Sequence, residues 1–524
     1  MNGFTTKKIR NSPAEQTRSE PRHEAKRSAI SPHFLSGERR VSPSPTSPIK
    51  GRFRKAIFRF LTHHFIWSAL IFVLCVGMAK AAYRVITLAE NISLKEIVFS
   101  VFSNPLETDE NGHTNILLLG TGNADHDGAN LTDTIIVASI DKSSETVSML
   151  SIPRDLYVEI DELYGWNRIN SILELVAQQK LYDNPAMTEE QAYTKGYEVL
   201  TQTVSKILNI PLHYYARINF DGFTQIVDAI DGIDINVEEA IYDPFYPADN
   251  GSIAYQIFSI NVGPHHLDGD TALKYVRSRE TTSDYSRSQR QQKVLSAIKE
   301  KALSLGVLTS PTKLKNLYNA IGDNFTSDLS WEEIVYLAKI ADKFDHDHMY
   351  SWGLNDNPLT SGGFLYTPPR EEGDAFSLLP YVSDYSDIQL FANLILLHPE
   401  VHAAGTTYQV LNGTTRNGVA SQTLYYLIRF GFDVVRYGNA PNRAVPITRI
   451  LPLSALLAGQ SPEKAVDDNE SLQFLMENFI PVGFTLNDVP TEYSPTEWES
   501  EADIILELGQ DYVDWMTQNS KHFY

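Results

Sequence analysis

Six arginines and a few carboxylates carry the chemistry that this sequence can do. Arg154 and Asp155 close the run VSMLSIPRD, Arg168 lies in RIN, Arg277 and Arg279 form VRSR, and Arg287 and Arg290 follow in DYSRSQRQQ. Guanidinium forks stay charged and bind phosphate bidentately. Read as a strand, VRSR puts Arg277 and Arg279 on one face. Taken singly, each arginine fits a surface salt bridge. Taken together, beside an acidic loop in an acidic chain, they read as a site for a diphosphate and a metal.

The acidic loop follows Gly120-Thr121-Gly122 and holds Asn123, Asp125, His126 and Asp127, with Asp133 further on in LTDT at the mouth of an apolar run. Hard oxygen ligands of this kind suit Mg²⁺ (or Mn²⁺), which often uses one or two carboxylates plus phosphate oxygens. Asp125 and Asp127 read first as solvated turn residues and second as ligands. Asp133 reads as functional. The glycines lack the third glycine and helix start of a dinucleotide fingerprint, so they support a phosphate cradle or a plain tight turn. The chain has no Ser-His-Asp signature, no HExxH and no Walker A loop. Its one cysteine, Cys75, leaves no disulfides for the rest of the chain.

These residues need a scaffold, and short apolar runs supply one. Asn115–Leu119, Thr134–Ile140 and Val147–Ile152 read as β-strands broken by turn residues. Tyr193, Tyr197, Leu200, Val204 and Ile207 give residues 189–208 a helical spacing. Phe223–Ile230 reads as a helix, Ile233–Val237 as a strand and Lys293–Leu305 as a helix. The mixture predicts a layered α/β domain over 113–305, with a helical extension and linker over 306–404. Thr407–Leu411, a helix over 417–430 and Phe432–Tyr437 predict a βαβ opening of a second small α/β domain, with Ala502–Leu508 as a further strand.

Charge divides the chain. Residues 1–59 hold 14 Lys/Arg and 4 Asp/Glu, leaving 30 of 44 cations and 61 of 65 anions for the rest. Residues 1–59, rich in Ser, Pro, Lys and Arg, read as a disordered tail. Residues 60–79 carry no charged side chain and span ~30 Å as a helix, the thickness of a bilayer core. A transmembrane helix is therefore expected over 60–82, followed by a juxtamembrane linker over 83–112. Arg52, Arg54, Lys55 and Arg59 predict a cytoplasmic N-terminus, with the larger part of the chain outside. An acidic outer part argues against DNA binding.

NILLLG, LTDTIIVASID, VSMLSIPRDLYVEI and RIN, then FTQIVDAIDGIDINV, HHLDGDTALKYVRSR and DYSRSQRQQ, together resemble the LytR–CpsA–Psr family over about 113–305. VLNGTTRNGVASQTLYYLIRFGFDVV and ADIILELGQDY resemble the LytR C-terminal domain over about 405–512. The resemblance implies a layered α-β-α catalytic domain outside the cell membrane. It implies an enzyme that moves a glycopolymer from a polyprenyl-diphosphate carrier to peptidoglycan through a phosphodiester. Matching motif positions give Asp133, Arg154, Arg168, Arg277, Arg279, Arg287 and Arg290 the diphosphate and metal roles; the acceptor hydroxyl also needs a base, for which a carboxylate near the metal, Asp133 or Asp155, is the candidate. One position departs: the family's aspartate two residues after LLLG is here Gly122. Asp133 then holds the metal with waters, or Asp125 or His126 substitutes. The departure also keeps open a non-catalytic envelope or regulatory protein that binds lipid diphosphates or wall polymers.

Overall fold

The computed structural model describes residues 106–524, apart from 124–129, 164, 248–254, 279–289, 307–320, 342, 345–347, 372–374, 481–483, 486–501 and scattered positions over 291–303. The basic tail, the expected span and most of 83–112 lie outside the described residues. Among the described residues, no helix is long and apolar enough to cross a membrane.

The first part of the chain runs β1 (His113–Thr121), β2 (Thr132–Asp141), β3 (Thr146–Ile152) and a hairpin of β4 (Tyr157–Ile160) and β5 (Gly165–Arg168). Helices α1 (Ile172–Asp183) and α2 (Glu189–Leu208), strand β6 (Tyr214–Asn219) and helix α3 (Phe220–Ala229) follow. Strand β7 (Ile233–Val237) pairs with β10 (Gly263–Leu267), and β8 (Ile241–Pro247) with β9 (Tyr255–Ile260). Then come α4 (Gly269–Arg277), β11 (Phe325–Ser327), α5 (Trp331–Ile340) and β12 (Met349–Gly353).

One six-stranded sheet, in the order β11-β6-β1-β2-β3-β12, organises this part. β1 is buried almost throughout because both faces of the sheet are covered, which is why NILLL reads as a continuous apolar run. Ile116, Leu118, Ile136 and Met149 pack with Ile226 of α3, Tyr275 of α4 and Leu337 of α5. Leu117, Leu119, Val137 and Leu150 pack with Val176 of α1 and Leu200 of α2 on the other face. The start of α2 is fixed by a capping box in which Thr188 and Gln191 bond each other's backbone, with Glu189 and Glu190 favouring the positive end of the helix dipole.

Two expectations are corrected here. The sheet does not end by residue 305, since β11 pairs with β6 and β12 with β3. Region 306–404 therefore supplies both edge strands as well as helices. Three- and five-residue strands are too short for a period, and only pairing across the fold defines them. Arg277 is the last residue of a helix, so VRSR is not one alternating strand. Asp268 caps that helix by accepting from Thr271 N–H, and Ala272, Tyr275 and Val276 bury its inner face.

The chain continues through a short pair, β13 (Leu365–Tyr366) and β14 (Leu379–Pro380), and α6 (Ser386–Leu397). A five-stranded sheet then forms from β15 (Thr407–Asn412), β16 (Asp433–Asn439), β17 (Arg449–Leu451), β18 (Phe484–Thr485) and β19 (Ile504–Leu508). β15 and β16 are parallel and joined by α7 (Val419–Arg429), the expected βαβ opening. The two sheets share one core. Phe391 of α6 meets Trp352 of β12 at 6.1 Å and Phe364 at 5.0 Å, and Phe364 meets Phe430 at 4.9 Å. Near the last described residues, Lys521 pairs with Asp384, His522 with Asp387, and Tyr524 stacks on Tyr381 at 4.0 Å.

Asp328, between β11 and α5, gives a pH-dependent prediction. Its Oδ1 accepts from Tyr215 N–H at 2.8 Å. Burial pushes the carboxyl up to about 6, and Glu333 and Glu107 push the same way. A carboxyl with a raised folded-state pKa contributes stability below its unfolded value, near 4, and loses it as the pH rises through 6. Asp328→Asn keeps the acceptor and removes the charge. The residue as a whole is exposed, and solvent screens its charge, so the substitution is expected to stabilise the protein modestly at pH 8 and to change little at pH 4. Thermal unfolding of both proteins at the two pH values tests this, and an equal shift at both would overturn it.

Candidate active site

Asp133 owes its placement to an irregularity. Gly120 is opposite Thr134 and Thr121 opposite Thr132, so Asp133 is the extra residue of a β-bulge with no cross-strand partner. Bulges re-aim side chains and break the ladder locally. Gly120 belongs here because a Cβ would lie 2.9 Å from Thr134 Cβ.

Arg154 follows β3 in a turn closed by Leu156 N–H on the Pro153 carbonyl. That turn is tied to the end of β5, as Ile169 N–H bonds the Leu156 carbonyl and Asn170 N–H the Arg154 carbonyl. The result is a row of alternating charge. Arg154 Nη1 lies 3.0 Å from Asp133 Oδ1, Arg154 Nε 3.4 Å from Asp155 Oδ2, and Arg168 Nη1 3.5 Å from Asp155 Oδ1. Burial works against the charged guanidinium of Arg154, but Asp133 and Asp155 outweigh it and hold its pKa above the ordinary arginine value. Asp133, Arg154 and Arg168 each expose a third or more of their side chains, so the row is open to a ligand.

Arg277 reaches the same end of the sheet. Its guanidinium lies 4.1 Å from the centre of the Phe220 ring and 5.5 Å from that of Tyr246. Phe220 follows Asn219, which is paired with Thr121 at the carboxyl end of β1. A surface hollow of about 460 Å³ lined by Thr201, Lys206, Asn209 and Leu212 lies at the opposite end of the sheet, just before β6.

Arg290 is placed otherwise than expected. It is 6% exposed, and it donates from Nε to the Tyr275 carbonyl at 3.0 Å and from Nη2 to the Ser278 carbonyl. It holds the exit of α4, which carries Arg277, and offers no open face to a diphosphate. Arg290→Met is expected to lower stability by on the order of 3 kcal/mol, since it leaves buried carbonyls unpaired. Denaturant unfolding reads this, and an unchanged midpoint would refute the supporting role. Arg279, Arg287 and Asp125 lie outside the described residues.

Two neighbours escaped the sequence reading. Asn170, in RIN, is 3% exposed; its Nδ2 donates to Asp133 Oδ1 at 3.4 Å, and its Oδ1 is buried without a hydrogen-bond partner. Arg217 donates from Nε to Thr121 Oγ1 at 2.8 Å. The signal for Arg217 was a cation within the otherwise strand-like YYARIN. Among the described residues, no group of three or more His, Cys, Asp or Glu side chains could hold a metal. An oxygen-only pair remains. Asp133 keeps Oδ2 beyond the atom bonded by Arg154, and Asn170, whose nitrogen faces Asp133, would bring its orphaned carbonyl oxygen there by turning its amide over. Both are hard donors that fit Mg²⁺ when phosphate oxygens complete the shell.

Comparison with known proteins agrees with the motifs. The LytR_cpsA_psr family model matches residues 82–376, and the model described as LytR cell envelope-related transcriptional attenuator matches 405–512. The cell wall biosynthesis protein LcpA of Corynebacterium glutamicum is 29% identical over 362 residues, covering 64% of this chain and 65% of that protein. A polyisoprenyl-teichoic acid–peptidoglycan teichoic acid transferase, TagU of Oceanobacillus iheyensis, is 32% identical over 230 residues, covering 44% of this chain and 62% of that protein. The chain thus spans somewhat less than two thirds of these relatives. The crystal structure of Bacillus subtilis TagV superposes with a TM-score of 0.40 at 21% identity, over 55% of this chain and 98% of that one.

Proposed function

This chain belongs to the LytR_cpsA_psr family, and from that premise we propose that it transfers a glycopolymer from a polyprenyl-diphosphate carrier to peptidoglycan. The observation that carries the reading is the row Asp133–Arg154–Asp155–Arg168, with guanidinium and carboxylate alternating at 3.0, 3.4 and 3.5 Å. Phosphoryl transfer needs positioning and charge neutralisation more than a covalent nucleophile, and such a row supplies both.

Arg154 and Arg168 turn their donors to the diphosphate, and Arg277 adds charge from the end of α4. Arg279 and Arg287 join them by their motif positions. Asp155, released from its guanidinium partners, takes the proton of the acceptor hydroxyl. That oxygen attacks the phosphorus bearing the glycopolymer, the P–O bond to the lipid phosphate breaks, and lipid phosphate leaves. Asp133 and Asn170 would hold a Mg²⁺ or Mn²⁺ ion, which supplies charge neutralisation on the leaving oxygens. The apolar run over 60–82 anchors the protein in the cell membrane with residues 1–59 in the cytoplasm, which brings the outer part to a lipid-linked donor.

The purified full chain is expected to release lipid phosphate from a lipid-diphosphate-linked glycan when a peptidoglycan fragment and Mg²⁺ or Mn²⁺ are present. Donor binding without release under any divalent metal would support the binding protein that Gly122 favours. The topology is checked by protease on intact spheroplasts, where full protection of residues 113–524 would overturn the localisation.

A further inference from the structure

The β4–β5 hairpin has one buried face and one open face. Val158 and Ile160 point into the core. In β4, Tyr157 and Glu159 alternate with these buried residues; in β5, Trp166 and Arg168 alternate with the half-buried Gly165 and Asn167 and share the face of Tyr157 and Glu159, with Tyr157 opposite Arg168 and Glu159 opposite Trp166 in the ladder. Trp166 is 46% exposed, and its ring stacks on Tyr157 with centroids 6.0 Å apart and planes 27° from parallel. A large aromatic surface left in water beside a charged site is a feature to explain.

Resting on the diphosphate reading of the arginine row, we propose that Trp166 and Tyr157 form the platform for the sugar ring attached directly to the donor's diphosphate. The apolar face of a pyranose carries C–H groups with partial positive charge, which suit the negative face of an aromatic ring. Glu159 supplies a carboxylate for sugar hydroxyls on the same face. Distance selects the sugar. Trp166 and Arg168 are two residues apart on one strand, roughly 7 Å, about the reach of one sugar ring from a phosphate held by Arg168. Nothing in this arrangement recognises the lipid, so the platform sorts donors by their glycan.

Two probes separate this inference from the reading beneath it: a bare polyprenyl diphosphate and the same lipid diphosphate bearing one hexosamine. With the full chain in detergent, Trp166→Ala is expected to weaken the glycosylated probe about tenfold and leave the bare probe unchanged. Trp166→Phe should recover most of the loss. Equal loss on both probes would make Trp166 a support for Arg168 and overturn the platform. No loss on either would also overturn it, with the diphosphate site intact. A loss confined to a peptidoglycan fragment would move the platform to the acceptor and sink the donor assignment. If the wild type binds neither probe, the lipid-diphosphate reading falls and the platform with it.

Discussion

Asp133→Asn is expected to slow release of lipid phosphate about a hundredfold to a thousandfold while changing donor affinity only a few-fold. Asparagine keeps an oxygen for Arg154 Nη1, now 3.0 Å from Asp133 Oδ1, so the row's geometry survives. It removes the negative charge that would hold a metal against the leaving oxygens. The loss therefore falls on turnover, where that charge develops, and not on the ground state. Single-turnover rates and donor titrations on one preparation separate the two. A variant as fast as the wild type would show that Asp133 is not the metal-side carboxylate. Gly122→Asp supplies a carboxylate just past the end of β1, and it should lower the Mg²⁺ concentration needed for half-maximal activity. An unchanged requirement would mean that the usual aspartate is not missed here.

Arg154→Ala is the second large effect. Each charge-assisted hydrogen bond to a phosphate is worth about 1.5–3 kcal/mol, so affinity for a polyprenyl diphosphate should fall by roughly tenfold to a hundredfold. The substitution also leaves Asp133 and Asp155 near one another without the cation between them, which repels an anionic ligand further. Arg154→Lys should not restore binding, because a point charge cannot serve Asp133 through one nitrogen and Asp155 through another as the guanidinium does. Binding measured on variants with native circular dichroism decides it, and unchanged affinity in the alanine variant would remove Arg154 from the site.

The central strands were legible because burial on both faces writes an unbroken apolar run, as in β1. The row was legible in part, since Asp133, Arg154 and Arg168 sit in compact motifs that end strands. What sequence could not carry was pairing across distance. β11 and β12 are defined by partners more than a hundred residues away. Arg290 looked like its neighbours until its burial under the end of α4 set it apart. Arg277 was misread because VRSR has a period of two, while the cap at Asp268 and the spacing of Ala272, Tyr275 and Val276 wrote a helix. Asn170 meets Asp133 only because a bulge and a turn bring residues 37 positions apart together.

The shared core has a thermodynamic consequence. Phe364, Phe391 and Phe430 lock together side chains from both sheets, and Leu378 N–H bonds the carbonyl of Asp155 just before the chain passes to Tyr381, under Tyr524. Neither sheet can lose its packing without stripping the other of apolar contacts. The two should melt in a single cooperative transition, the behaviour of one folding unit and not of beads on a string. Cutting the chain before β15 would expose Phe364 and Phe391 and yield an aggregating fragment instead of a smaller working enzyme.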